Sequence, residues 1–134
     1  MINQSEKTVD LNDGGEFSPL PDDNKNLAGL VVRDLTVTYE TESGPLHTVR
    51  NMTMAIAPGE IYGLVGESGS GKTTLARALV RYLPDNGHIS HGNIALDGVD
   101  LLNLSRKEMR ATWGSKITMV HQDPNKSINP SMII

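Results

Sequence analysis

The stretch GLVGESGSGKTTLARALV, from Gly63 to Val80, decides the fold of this chain. Its centre, residues 66–73, matches the pattern G-x-x-x-x-G-K-[S/T]. The apolar run IYGLV (Ile61–Val65) comes directly before it and predicts a strand covered on both faces. Apolar residues at helical spacing follow the loop and predict a helix. The residues of that apolar stripe are Leu75, Leu79, Tyr82 and Leu83.

The glycine loop has the composition of a phosphate-binding site. Glycines permit positive φ and let the backbone approach a ligand closely. Successive N–H groups can form an anion nest, and the N-terminus of the following helix adds its dipole. We expect Lys72 to contact the β- and γ-phosphates, Thr73 to bind Mg²⁺ and Thr74 to contact the α-phosphate. The predicted nucleotide-binding residues of the loop are Gly66, Glu67, Ser68, Gly69, Ser70, Gly71, Lys72, Thr73 and Thr74.

A flexible linker and a dinucleotide-binding turn both fit the glycine loop less well. A Gly/Ser linker would not need a strand before it and a helix after it. A dinucleotide-binding turn needs a third glycine at position 74, which is Thr74 here. That turn would also need an acidic residue about 20 positions further on, where His91 stands. Phosphate binding is therefore the interpretation that we keep.

The flanking segments predict a mixture of strands and helices. Alternating apolar residues in LTVTY (Leu35–Tyr39) and MTMAI (Met52–Ile56) indicate half-buried strands, with Leu35 and Tyr39 on the same face. The segment ETESGPL (40–46) between them is predicted as a loop. Further predictions are a strand at GNIAL (92–96), a turn at Asp97-Gly98, a helix with a capping box at SRKEMRATW (105–113) and a buried strand at KITMV (116–120).

Composition and charge limit the possible functions. The chain has 134 residues, enough for about one domain, with no cysteine and no apolar run long enough to span a membrane. The net charge of -4 gives no basic footprint for nucleic acid. Residues 1–26 hold six acidic residues and two lysines among few large apolar ones. We therefore predict a disordered acidic tail over 1–27 and an ordered domain over 28–134.

The sequence from Leu30 to Ile134 resembles the nucleotide-binding domain of ABC transporters. It is most similar to the importer ATPases for oligopeptides, dipeptides, nickel and related solutes. The resemblance implies an α/β fold of the P-loop NTPase, ABC type, with an N-terminal antiparallel β part and the start of the parallel core sheet. Four stretches carry it: LTVTYETESGPLHTVRNMTMAIAPGEIYGLVGESGSGKTTLARALV (35–80), GNIALDGVDLLNLSRKEMR (92–110), ITMVHQDP (117–124) and SINP (127–130).

The resemblance also implies roles for residues outside the glycine loop. Tyr39 matches the aromatic residue of the family's A-loop, which stacks on adenine, although from the residues alone a packed strand tyrosine fits equally well. Gln122 matches the Q-loop glutamine, which reaches Mg²⁺ and the attacking water; an ordinary loop glutamine is the alternative. The family's catalytic roles therefore fall on Lys72 and Gln122, its metal-binding roles on Thr73 and Gln122, and its cofactors are ATP and Mg²⁺.

The partners implied by the resemblance are permease subunits and a second ATPase subunit, at the cytoplasmic face of the plasma membrane. Such an assembly couples ATP hydrolysis to the uptake of peptides or related solutes. No counterpart of the family's signature motif, Walker B acids or switch histidine follows Gln122. We therefore expect a truncated chain that binds ATP but does not hydrolyse it efficiently. Two alternatives stay open, a non-catalytic piece that docks on a permease subunit and another P-loop enzyme such as a kinase.

Overall fold

The computed structural model describes residues 29–120 and the backbone of a strand at residues 6–10. A four-stranded antiparallel sheet has the order β3-β2-β5-β6, and β1 and β4 form a separate parallel pair. This arrangement confirms the predicted architecture. No helix in the described ranges is long and apolar enough to cross a membrane. The elements are β1 (Glu6–Asp10), β2 (Leu30–Thr41), β3 (Gly44–Ile56), β4 (Ile61–Val65), α1 (Lys72–Leu79), β5 (Gly87–Leu96), β6 (Val99–Asp100), a 3₁₀ turn (Leu101–Asn103) and α2 (Arg106–Thr112).

The hydrophobic core joins the antiparallel sheet to the helix that follows the glycine loop. Helix α1 contributes Leu75 and Ala78, both fully buried, and it contacts β2 and β3. Because the helix is anchored on this side, its N-terminus is held at a fixed place above the sheet. The buried residues of the cluster are Val32, Leu35, Val37, Val49, Met54, Leu75, Ala78, Ile94 and Leu101.

Helix α1 begins where the sequence predicts and ends earlier than the apolar stripe suggests. Arg81 follows the helix with a positive φ of 53° and turns the chain away. Its guanidinium donates hydrogen bonds to the carbonyl oxygens of Leu101 (2.6 Å) and Leu104 (2.9 Å). These long-range bonds fix the turn, so Tyr82 lies outside the helix with 61% of its surface exposed.

Strand β2 does not alternate as predicted. Its pairing with β3 shifts register three times, the last time between Val37 and Thr38. These two neighbouring residues are consequently both buried. Simple alternation therefore no longer places Leu35 and Tyr39 on the same face of the strand. The hydroxyl of Thr38 is satisfied by hydrogen bonds with His47 Nδ1 and Ser90 Oγ, each at 2.8 Å.

The prediction of a loop over residues 40–46 was wrong. Strand β2 continues to Thr41 and β3 starts at Gly44, which leaves a two-residue hairpin turn. Gly44 has a φ of 108°, which glycine adopts without strain. Pro45 is tolerated because β3 lies at the edge of the sheet.

The predictions for residues 92–113 were largely confirmed, although β5 begins five residues before the predicted strand. Asp97 and Gly98 both have positive φ and connect β5 to β6, as expected for a tight hairpin. The α2 helix has the capping box. Ser105 Oγ accepts from the N–H of Glu108 at 3.3 Å, and Glu108 Oε2 accepts from the N–H of Ser105 at 2.8 Å. The hydrogen bonds from Ser105 lower the pKa of Glu108 below its ordinary value, its side-chain bond most of all.

Part of the segment that we predicted as a disordered tail forms a strand. The five residues of β1 pair in parallel with β4, from Glu6 opposite Ile61 to Asp10 opposite Val65. The N–H and C=O groups at an edge of β4 can form hydrogen bonds with a neighbouring strand. The composition of residues 1–27 does not reveal that such a partner is available. The rest of residues 1–28 lies outside the described residues.

One of the two predicted buried strands is absent, and the other forms but is less buried than predicted. Residues 116–120 form no strand, only an isolated bridge between Ile117 and Trp113, and Val120 is 91% exposed. An extended segment without a hydrogen-bonded neighbour is not stable as a strand in water. Strand β4 does form, but Ile61 and Val65 are 51% and 43% exposed, so its faces are only partly covered.

Candidate nucleotide-binding site

The glycine loop connects the end of β4 to the start of α1, and its last glycine is fixed by the sheet. Gly71 is the N-cap of α1, with φ 92° and ψ 5°. A Cβ atom at this position would lie 2.6 Å from the carbonyl oxygen of Thr48 in β3. No side chain fits there without a shift of the backbone. The loop is therefore pressed against β3 at a point that tolerates only glycine.

The start of α1 favours a negatively charged ligand. The helix has no side-chain cap and no acidic residue in its first turn. The first N–H groups of a helix have no partner within it, and the helix dipole places partial positive charge there. Thr73 is exposed and Thr74 half-buried in this turn. Backbone N–H groups, two hydroxyls and the dipole thus meet at the end of the loop.

Lys72 places a positive charge across the glycine loop. Its Nζ donates to the carbonyl oxygens of Gly66 at 2.5 Å and Glu67 at 2.6 Å, and to Ser70 Oγ at 3.2 Å. All three acceptors are neutral oxygens, so none of them neutralises the ammonium group. A phosphate oxygen is a stronger partner for an ammonium than a carbonyl oxygen, because both groups would be charged.

Tyr39 lies in β2, which pairs with β3, the strand whose Thr48 contacts the glycine loop. It pairs with Leu46 in β3 and with Gly87 in β5. A Cβ at position 87 would lie 2.8 Å from Cε1 of Tyr39, so the ring packs on the glycine backbone. Leu46 precedes Thr48, the loop contact, by two residues, or about 7 Å along the strand. The half-buried ring of Tyr39 is therefore near the loop and packed on one side.

The metal-binding candidates are only partly placed by the structure. Thr73 is at the end of the loop, whereas Gln122 lies outside the described residues. Within residues 29–120, no group of three or more His, Asp or Glu side chains is arranged to hold a metal ion. The oxygen donors of the loop and of a nucleotide's phosphates do suit Mg²⁺, which binds through few protein ligands and substrate phosphates. Of the two predicted metal-binding residues, the structure thus describes Thr73, which is exposed in the first turn of α1.

One residue that supports the site was not anticipated from the sequence. The carbonyl oxygen of Thr48 fixes Gly71, and a backbone contact between a strand and a distant loop leaves no pattern in either segment.

Nearer the loop, β4 carries Tyr62. Burial raises the pKa of its phenol above the ordinary value, and the carboxylate of Glu60 raises it further. Tyr62 therefore stays neutral at physiological pH.

A strand, a glycine loop and a helix with this pattern, beside an antiparallel β part, define a P-loop protein of the ABC type. The chain belongs to the ABC transporter family, whose sequence profile matches residues 49–134.

Three curated relatives are, by name, ATP-binding proteins of peptide transport systems. The peptide transport system ATP-binding protein SapD of Salmonella typhimurium is 38% identical over 102 residues, which are 76% of this chain and 31% of the relative. The oligopeptide transport ATP-binding protein OppD of Bacillus subtilis is 38% identical over 104 residues, 77% of this chain and 29% of the relative. The probable D,D-dipeptide transport ATP-binding protein DdpD of Escherichia coli is 38% identical over 103 residues, 76% of this chain and 31% of the relative. The matched region thus spans less than a third of the length of these relatives.

Proposed function

We propose that this chain is the ATP-binding part of an ABC importer that takes up peptides or related solutes. The position of Lys72 carries this proposal, because an ammonium group inside a glycine loop at a helix N-terminus suits a polyphosphate. The names of the three relatives, all peptide transport proteins, support the class of solute. Permease subunits and a second ATPase subunit, at the cytoplasmic face of the membrane, are the partners that this function requires.

The residues of the site have separate tasks in binding. The N–H groups of residues 66–74 and the dipole of α1 would hold the phosphates, and Lys72 would add its charge to the β- and γ-phosphates. Thr73 would hold Mg²⁺, and Gln122 would contact the metal and the attacking water. Bound Mg²⁺ neutralises charge that develops on the phosphate oxygens. The ring of Tyr39 would stack on the adenine.

We expect this chain to bind ATP without hydrolysing it efficiently. Phosphoryl transfer needs an oriented water and a firmly held metal as well as bound phosphates. The described residues hold no cluster of acids for that task, and Asp123 is the one acidic residue after Gln122. We expect the purified chain to bind Mg·ATP and to release phosphate at well below about 1 per second, the low end of ordinary turnover. A phosphate-release assay measures this; appreciable turnover that Lys72→Ala abolishes would contradict it.

The stacking role of Tyr39 gives a second expectation. Replacing Tyr39 with alanine should weaken ATP binding by about 1–3 kcal/mol, because the base loses its aromatic partner. Tyr39→Phe should bind like the original chain. The matched control is Tyr82→Ala, since Tyr82 lies beyond α1 in edge contact with Trp113. Calorimetry with ATP measures all three variants. If Tyr39→Ala binds ATP as tightly as Tyr82→Ala, Tyr39 only packs on Gly87.

A non-catalytic subunit that docks on a permease is the second candidate function. One observation favours it, a mostly apolar cavity of about 220 Å³. Capture of a peptide-importer permease by a chain that does not bind ATP would support this candidate. Capture that requires bound ATP would favour the first. Another P-loop enzyme, such as a kinase, would instead transfer phosphate to an acceptor, and formation of ADP without matching release of phosphate would detect it. The cavity is lined by Val80, Tyr82, Trp113, Gly114, Ile117, Thr118 and Met119.

A further inference from the structure

Gly87 lies against the ring of Tyr39 at the place where β5 begins. The two residues form a cross-strand pair between β2 and β5. A Cβ atom at position 87 would lie 2.8 Å from Cε1 of the ring, 3.2 Å from Cδ1 and 3.3 Å from Cζ. Because Cδ1 and Cζ, the two neighbours of Cε1, are almost equally distant and only slightly farther away, this Cβ would lie above the face of the ring rather than beyond its edge. The backbone of Gly87 therefore covers one face of the tyrosine.

Position 87 does not need a glycine for its own backbone conformation. Gly92, in the same strand, has a φ of 93°, whereas Gly87 is not one of the described glycines with a positive φ. The three atoms nearest to a Cβ at position 87 all belong to the ring of Tyr39, whereas at position 92 they belong to the backbone of β2. A glycine inside a strand often marks a place where another group approaches closely. At position 87 that group is an aromatic ring, and an alanine would meet the ring first.

A turn holds this glycine beside the tyrosine. The N–H of Gly87 donates to the carbonyl oxygen of Pro84 at 2.8 Å. Glu40, the residue after Tyr39 in β2, donates its N–H to the carbonyl oxygen of Asn86 at 2.8 Å. The side-chain amide of Asn86 donates in return to the carbonyl oxygen of Glu40 at 3.2 Å. These bonds fix the turn to the end of β2, so the support of the ring is rigid.

We propose that Gly87 is a positioning residue for nucleotide binding, whose bare backbone holds the ring of Tyr39 in the orientation that stacks on the base. The ring is half-buried, so this support leaves part of it accessible. A ring that is held in place before binding loses less conformational freedom when a base stacks on it. The inference rests on the proposed function, and it assigns Gly87 to recognition of the base rather than of the phosphates.

The test measures the effect of Gly87→Ala in the original chain and in the Tyr39→Ala variant. Calorimetry gives the affinity for Mg·ATP and for Mg·tripolyphosphate, an anion without a base. The new methyl group must displace the ring, so Gly87→Ala should weaken Mg·ATP binding about fivefold or more, the low end of the loss of one stacking contact. The affinity for tripolyphosphate should stay unchanged, since the glycine loop is intact. In the Tyr39→Ala variant, Gly87→Ala should not weaken ATP binding further, because the ring is already absent.

The outcomes separate the inference from the proposed function. If Tyr39→Ala weakens ATP binding but Gly87→Ala does not, the inference alone is overturned. An equal loss of tripolyphosphate affinity in Gly87→Ala, or a further loss of ATP affinity in the Tyr39→Ala variant, would also overturn it, because position 87 would then act through the fold. If Tyr39→Ala binds Mg·ATP as tightly as the original chain, the stacking role fails and the inference fails with it. If the original chain binds neither ligand, the proposed nucleotide binding itself is wrong.

Discussion

Replacing Lys72 with alanine is expected to weaken the binding of Mg·ATP by about 30-fold or more. The ammonium lies across the loop, on the carbonyl oxygens of Gly66 and Glu67. A charge-assisted contact to phosphate that is lost at a partly buried site costs about 2–5 kcal/mol. No other side chain of the loop carries a positive charge that could replace it. Calorimetry with Mg·ATP measures the change.

The matched control for this variant is Lys107→Ala. Lys107 is an exposed lysine of α2, outside the glycine loop, so its removal changes the net charge equally. It should leave the affinity unchanged apart from a small effect that salt suppresses. Equal losses in the two variants would show that long-range charge, rather than contact with the phosphates, explains the effect.

Replacing Gly71 with alanine is expected to lower the free energy of unfolding by about 2–4 kcal/mol and to abolish ATP binding. A φ of 92° is strained for any residue with a side chain. The new Cβ would also lie 2.6 Å from the carbonyl oxygen of Thr48, and neither backbone can easily move away. Because Gly71 is the N-cap of α1, a shift there displaces the first turn of the helix. Urea unfolding and calorimetry measure the two effects.

The variant Gly69→Ala measures the cost of a side chain at positive φ without a steric contact with the sheet. Gly69 has a similar positive φ of 84°, but a Cβ there would meet nothing within 4 Å. Its replacement should cost only about 1 kcal/mol, the backbone strain alone. If the two alanine variants are equally stable, the contact between Gly71 and Thr48 does not hold the loop against the sheet.

Features set by short stretches of sequence were predicted well. The strand, the loop and the helix start follow from the spacing of Ile61–Val65, Gly71 and Lys72. The capping box at Ser105 and the turn at Asp97 were also correct, because each needs only residues three or fewer positions apart.

Features that depend on distant partners were not predictable. The bulges of β2 depend on how β3 pairs with it, and the end of α1 depends on bonds from Arg81 to carbonyl oxygens about 20 residues away. The pairing of β1 with β4 joins residues more than 50 positions apart. The features of the candidate site show the same difference between local and distant determinants. The loop is visible in the sequence, whereas the close approach of Gly71 to the carbonyl oxygen of Thr48 emerges only from the fold.

Hydrogen–deuterium exchange with and without Mg·ATP tests most directly that this loop is the nucleotide site. Exposed loop amides exchange quickly unless a ligand protects them. We predict that Mg·ATP slows exchange in residues 66–74, that protection extends to the segment around Tyr39, and that Lys72→Ala prevents both. Protection confined to other parts of the chain, with residues 66–74 unchanged under saturating Mg·ATP, would contradict the account.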